Sequence, residues 1–198
     1  MLATLSSPII FKEIFNSKYV TKDMLLFSDK YGHNVVTYSL SNYIDNIKEI
    51  VESDYWDKDL MFHSDVDNDF VLVYPYNKPD VVEYLCNSGK CTNEMAMMVN
   101  KMKRNCAHYY ALHNPLSFNY LLKSDICNVN VINQQDIYGD TCLHIACQND
   151  NDSLKVLLKS KYMTDHLLFK QNKKGENALM VALDKKTDLV SKLCSKYV

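Results

Sequence analysis

Apolar residues recur along this chain in triplets spaced i, i+3, i+4, the spacing that lines one face of a helix. They fall at Phe11/Ile14/Phe15, Ile47/Ile50/Val51, Val82/Leu85/Cys86, Phe118/Leu121/Leu122, Leu154/Leu157/Leu158 and Val190/Leu193/Cys194. The steps between successive triplets are 36, 35, 36, 36 and 36 residues. Random clustering does not hold such a register, so each triplet predicts one helix of a repeating unit. A second apolar element keeps the same phase, in DKYGHNVVTYS (29–39), DVDNDFVLVYP (65–75), NKMKRNCAHYY (100–110), DIYGDTCLHIA (136–146) and NKKGENALMVA (172–182).

Each of these five segments opens with Asp or Asn: Asp29, Asp65, Asn100, Asp136 and Asn172. Three carry glycine at the fourth place, Gly32, Gly139 and Gly175. A short polar side chain that bonds local backbone, followed by a residue that tolerates positive φ, predicts a turn. Asn34, Asn105, Thr141 and Asn177 then stand where a helix N-cap accepts an orphan amide. The connectors also repeat: NSKYVTKDMLLFSDKYGHN (16–34) resembles KSKYMTDHLLFKQNKKGEN (159–177). The unit is therefore a turn, a short first helix, a second helix, and a connector with an apolar run such as MLLF (24–27) or LLF (167–169).

The segment DIYGDTCLHIACQNDNDSLKVLLKS (136–160) resembles an ankyrin repeat, matching that family's pattern at Asp136, Gly139, Thr141, Leu143, His144, Ala146, Leu157 and Leu158. The resemblance implies an all-α, ankyrin-type helical solenoid, with units two or three residues longer than the family's usual period of about 33. It is strong in units four and five, fair in unit one and weak in two and three. Five helix-pair units of about 36 residues are expected at 29–64, 65–99 (irregular), 100–135 (irregular), 136–171 and 172–198 (partial), behind an N-terminal half-unit and connector at 1–28. Unit two has Pro75, and unit three Tyr110, where the family places a small residue. Because proline removes a backbone bond and clashes with the preceding turn, the first helix of unit two should be short or bent. Pro8, Pro79 and Pro115 align at the start of second helices, where the missing amide costs least. The closing SKYV (195–198) repeats 17–20, where the chain runs into another connector, and no polar capping repeat is apparent. The expectation is an N-terminal piece of a longer repeat protein.

Composition narrows the functional classes. The formal net charge is −2, with acids and bases spread throughout, unlike the concentrated basic patch of a nucleic-acid binder. Apolar runs are too short to span a bilayer, and the start lacks the regions of a secretory signal. Seven cysteines, an odd number, suit reduced thiols in a cytoplasmic protein better than a disulfide framework. Lysine outnumbers arginine 21 to 1, beside 19 asparagines and 14 tyrosines, which points to an AT-rich genome. The long connectors and this composition resemble ankyrin proteins of large DNA viruses of amoebae. That resemblance implies a location in host cytoplasm and a host regulator, such as ubiquitin machinery, as the partner.

Candidate chemistry is sparse. Cys86, Cys91, Cys106 and His108 could be stretched into a metal set, but structural zinc uses tighter pairs, and the repeats assign these residues to core slots. The expectation is no metal and no cofactor. His108 and His144 share one repeat position, where the family uses histidine to bond between neighbouring turns. No phosphate loop or nucleophile elbow is present, so no catalytic residues are expected. Asn133 stands where some family members are hydroxylated; a plain turn asparagine is the simpler reading.

The family grips partners with its turn tips and the inner, concave face of its first helices. Carried onto this chain, the partner-binding residues are Lys30, Tyr31, His33, Asp67, Asp69, Arg104, Ile137, Tyr138, Asp140, Lys173, Lys174 and Glu176, with Met102 beside them. Tyr31 and Tyr138 hold the same place in their units, where each either anchors a partner or packs on the next turn. The expected function is a non-catalytic protein-binding scaffold, with no nucleic-acid or membrane role. The alternative is an assembly or virion component that self-associates through uncapped ends.

Overall fold

In the computed structural model, which describes residues 7–149 and 152–184, every unit begins with its Asx side chain folding its own turn. In unit four, Asp136 Oδ1 accepts the amides of Tyr138 (2.8 Å) and Asp140 (3.0 Å), while the Asp136 amide donates to the Asp140 carbonyl (2.9 Å). The same bonds recur at Asp29, Asp65, Asn100 and Asn172. The fourth residue of each turn has positive φ: Gly32, Asn68, Lys103, Gly139 and Gly175. At Gly139 a Cβ would stand 2.7 Å from the backbone nitrogen of Lys173, so the next turn's close approach, as well as the dihedral, calls for glycine.

Helices follow from the caps. The second helices form one row: α1 (Pro8–Phe15), α4 (Ile44–Glu52), α6 (Pro79–Asn87), α9 (Pro115–Lys123) and α12 (Ser153–Leu158). Proline occupies the first turn of α1, α6 and α9, as its missing amide predicts. The first helices are α3 (Val35–Asn42), α8 (Cys106–His113), α11 (Cys142–Gln148) and α14 (Ala178–Asp184). Asn34, Asn105 and Thr141 close capping boxes with Thr37, His108 and His144, and Asn177 Oδ1 accepts the Met180 amide at 3.0 Å.

The connectors are more ordered than the apolar runs suggested. Each contains a helix of four or five residues: α2 (Lys22–Leu26), α5 (Lys58–Met61), α7 (Asn93–Met97), α10 (Val129–Asn133) and α13 (Asp165–Phe169). Their caps, Thr21, Asp57, Thr92, Asn128 and Thr164, all accept a backbone amide and lie 36, 35, 36 and 36 residues apart. Among the described residues the architecture is fourteen helices and no strand, with one isolated bridge between Ser64 and Phe70. It is an all-helical ankyrin-type solenoid.

The core is one continuous strip, because the second helices, and the first helices of units three to five, bury their apolar faces against the equivalent helix of the neighbouring unit. Thus α6 packs on α9 and α9 on α12, while α8 packs on α11 and α11 on α14. Ile47, Ile50, Val82, Leu85, Phe118, Leu121, Leu154 and Leu157 are fully enclosed. In α1, Phe11 and Phe15 face inward, whereas Ile14 faces solvent. The sixth triplet, Val190/Leu193/Cys194, and the closing SKYV lie outside the described residues.

Unit two departs from the others more than a bent helix would. Val71 to Asn77 form successive turns, with no α-helix, through bonds such as Val73 N–H to Phe70 C=O (2.7 Å) and Tyr76 N–H to Val73 C=O (3.2 Å). Pro75 is half of the cause. The other half is that Phe70 and Val73 stand at the two capping-box positions, where their apolar side chains can accept no amide. Tyr110 of unit three fills the resulting space: it is fully buried, and its hydroxyl donates to the Leu72 carbonyl. The two family departures are one coupled change.

Candidate partner-binding surface

The turn tips stack edge to edge, joined by one backbone bond per interface. Val66 N–H donates to Tyr31 C=O (3.0 Å), Lys101 to Asp67 (3.0 Å), Ile137 to Met102 (2.9 Å) and Lys173 to Tyr138 (2.9 Å). This ladder is unbroken through unit two, so the loss of a helix leaves the tip register intact.

Side chains at the fifth turn position add a second set of links. His33 Nε2 lies 3.5 Å from Asp65 Oδ2, and Arg104 Nε donates to Asp136 Oδ2 at 3.0 Å. Asn100 Nδ2 donates to Asp69 Oδ1 (2.8 Å), and Asn172 Nδ2 to Asp140 Oδ1 (2.9 Å). The chemistry is complementary: a basic residue precedes an opening Asp, and an Asp precedes an opening Asn. Asp69 carries a carboxyl raised above the usual range, because burial and the nearby Asp65 outweigh the bonds it accepts. In Asp29, burial pulls upward, but two backbone amides and the Tyr38 hydroxyl outweigh it and hold the carboxyl low.

The twelve residues expected at the partner surface therefore divide. Lys30, Tyr31, Asp67, Tyr138, Lys173 and Lys174 are exposed at the tips. Tyr31 and Tyr138 are 51% and 54% exposed, and Lys30 Nζ sits 4.8 Å from the Tyr31 ring centre. His33, Asp69, Arg104, Ile137 and Glu176 are half-buried, and Met102 beside them also is. Asp140 is buried between Gln148 Nε2 (3.1 Å) and Asn172, so its carboxylate holds units four and five together and is not presented outward.

Sequence reasoning did not single out the aromatic face behind the tips. Tyr38, Tyr74 and Tyr109 lie nine residues after Asp29, Asp65 and Asn100, a spacing readable in the sequence. Tyr38 and Tyr74 donate to the carboxylates of Asp29 (2.9 Å) and Asp65 (2.5 Å), and Asn100 Nδ2 donates to the Tyr109 hydroxyl (2.7 Å). Where unit two lacks its first helix, a cleft of about 410 Å³ opens among Asp65, Asp69, Tyr74, Tyr76 and Lys78.

The histidines and cysteines are built into the core. His144 Nδ1 accepts the Thr141 hydroxyl (2.9 Å) and its Nε2 meets the Glu176 carbonyl (3.1 Å). His108 bridges likewise to the Asp140 carbonyl at 3.2 Å, and burial lowers it to about 4, which keeps it neutral. Burial pushes the thiol of Cys86 up to about 11, and those of Cys91, Cys127 and Cys147 to about 12, far from the thiolate a nucleophile or metal ligand requires. Among the described residues no three His, Cys, Asp or Glu side chains converge as a metal site, and no helix is long and apolar enough to cross a membrane. Asn133 ends α10; its main-chain carbonyl accepts Lys170 Nζ (2.7 Å), and its buried Oδ1 has no partner among the described residues.

This geometry, capped helix pairs on laddered turns with histidines bridging units, is that of the ankyrin-repeat fold. Residues 107–198 match the family model "Ankyrin repeats (3 copies)". Among solved structures, the chain is similar to "EF0377 an Ankyrin Repeat Protein", with a TM-score of 0.79, 17% identity and coverage of 99% of this chain and 95% of that one. It is also similar to a chain in a structure titled "Bd0816 Predatory Endopeptidase from Bdellovibrio bacteriovorus in complex with immunity protein Bd3460". There the TM-score is 0.69, identity 19%, and coverage 95% of this chain and 92% of that one. At these identities the likeness concerns fold. No curated protein matches the sequence.

Proposed function

We propose that this chain is a non-catalytic scaffold that binds a protein partner through its turn tips and the adjoining face of the first helices. One observation carries the reading: five turns share the same backbone bonds while the set of side chains they expose differs from turn to turn, from Lys30 and Tyr31 to Val66 and Asp67 to Lys173 and Lys174. A frame held constant beneath a varied surface suits recognition of one specific macromolecule. Tyr31 and Tyr138, half exposed, supply the anchors, since aromatic side chains bury large area at small entropic cost. The connector length and Lys/Asn/Tyr usage support a source among large DNA viruses of amoebae, with a regulator in the host cytoplasm as partner.

The test is capture from amoebal extract by wild type and by a Tyr31→Ala/Tyr138→Ala variant, followed by calorimetry with the purified captured protein. The expected result is one stoichiometric partner whose affinity falls at least tenfold in the variant, the weight of about 1–2 kcal/mol expected of an aromatic hot spot. Equal affinity would overturn the reading. A second reading, self-association, is favoured by the outward face of α1, where Ile9 and Ile14 are 72% and 48% exposed. It requires a mass by light scattering that rises with concentration and stays monomeric in Ile9→Asp/Ile14→Asp.

A further inference from the structure

A cavity of about 810 Å³ lies where α10 and α13 run into the turns of units three to five, on the connector side, away from the first-helix face. Its volume falls within the roughly 300–1,000 Å³ of ordinary ligand sites, but its lining is polar where such sites are mostly apolar. Lys103, Lys170, Lys173 and His166 contribute cationic or protonatable groups, and Asn130 and Gln171 add exposed carboxamides. The one carboxylate in the lining, Asp136, is already committed: its Oδ1 accepts two turn amides and its Oδ2 the Arg104 guanidinium. Three lysines thus line the cavity beside a single carboxylate that already has partners, in a chain whose net charge is −2.

The floor is braced. Gln135 Nε2 donates to the carbonyls of Gly139 (2.6 Å) and Gln171 (2.9 Å), tying two turns together, and Lys170 Nζ spends one of its three donors on the Asn133 carbonyl. Lys103 is informative in another way. It stands at φ +56, in the slot that is glycine in units one, four and five, so its side chain is kept there against a backbone preference. Ammonium groups at this density recognise carboxylates, and carboxamides, being donor and acceptor at once, pair with peptide backbone.

We infer that this cavity binds an acidic peptide segment of a protein partner, its carboxylates held by Lys103, Lys170 and Lys173. The inference rests on the scaffold reading and supplies the chemistry of the segment bound, at a cavity whose lining takes in Lys173 of the tips but neither tip tyrosine.

The experiment titrates the 198-residue chain into a fluorescein-labelled deca-glutamate peptide by anisotropy, beside a neutral Gly-Ser peptide of equal length. Binding to deca-glutamate alone, weakening as salt rises, is expected. The decisive variant is Lys103→Gly/Lys173→Gln. Glycine suits the positive φ, so the fold is not put at risk, while affinity should fall roughly tenfold, as expected for two exposed pairs. Lys159→Gln removes an exposed charge outside the cavity and the tips and should leave affinity within about twofold. Equal losses in Lys159→Gln and in the double variant would overturn the proposal, as would full retention in the double variant. Displacement by inorganic phosphate beyond that by chloride at equal ionic strength would also overturn it, marking a phosphate site instead. Tyr31→Ala/Tyr138→Ala separates the two ideas: if it leaves deca-glutamate binding intact while partner capture fails to depend on it, the tip reading falls and the cavity stands.

Discussion

Units two and four carry the same opening turn and end in equivalent connector helices, α7 and α13, yet only unit four has a first helix. Asp65 and Asp136 make identical backbone bonds, and both turns sit in the tip ladder. Beyond the turn they diverge. Thr141 and His144 close a capping box ahead of α11, whereas Phe70 and Val73 hold those places in unit two and Pro75 removes the amide that would bond Val71. Phe70, Val71, Leu72 and Val73 are nonetheless all buried. The difference teaches that this solenoid needs apolar bulk at each level of its core and a turn in register, while helical backbone at that level is dispensable.

If Tyr110 replaces the missing helix, its truncation should be the most damaging single change. Tyr110→Ala removes a fully buried aromatic and should cost roughly 3–5 kcal/mol in urea unfolding. Tyr110→Phe keeps the ring but strands the Leu72 carbonyl, for about 1–3 kcal/mol. The matched change in unit four, Ala146→Gly, should cost only about 1 kcal/mol. A Tyr110→Phe variant as stable as wild type would show that the hydroxyl does not stand in for the absent helix.

A smaller effect separates the units by acid. His108 is neutral in the fold at a pH where it is charged in the unfolded chain, its ordinary 6.5 being held down to about 4 by burial. Between those values the unfolded state binds the extra proton, so stability is whole above about 6.5 and declines as pH falls toward 4. The full loss below 4 is roughly 3 kcal/mol. Unit two has Val73 at this position and contributes nothing to the decline. His108→Gln should flatten the acid limb of a stability–pH curve; an unchanged slope would place the liability elsewhere.

The same contrast shows what could be read from the chain. The repeat was legible because packing needs apolar residues at helical spacing, and Asx-turn and cap chemistry needs a particular residue at a particular step; Asp136, Thr141 and His144 say all of this locally. The connector helices were partly hidden, since four or five residues give too short a window for periodicity, although the phased caps Thr21, Asp57, Thr92, Asn128 and Thr164 mark them. Long-range complementarity was hidden more deeply. Asp140 looks like any charged tip residue until Asn172 is seen against it, and only the fold brings those two side chains together. Similarly, the lysines of the connector-side cavity belong to three different units, and nothing local joins Lys103 to Lys170.

The mildest expected effect probes which signal abolished the helix in unit two. Proline alone costs a helix interior roughly 3 kcal/mol, so if Pro75 were the sole cause, Pro75→Ala would restore a helix over residues 71–77. Two further facts oppose that outcome. Phe70 and Val73 cannot cap the new helix, leaving its first amides orphaned. The Leu72 carbonyl is already bonded to the hydroxyl of Tyr110, whose ring is fully buried in the core. Pro75→Ala should therefore shift stability by less than about 1 kcal/mol, since it trades a fixed φ for an amide with no ready partner. Far-ultraviolet circular dichroism should be unchanged within error. A gain of two helical turns would make Pro75 the switch; no gain, with a gain appearing only when Tyr110→Ala is combined with it, would make the two residues a single packing unit, which a double-mutant cycle measures as coupling.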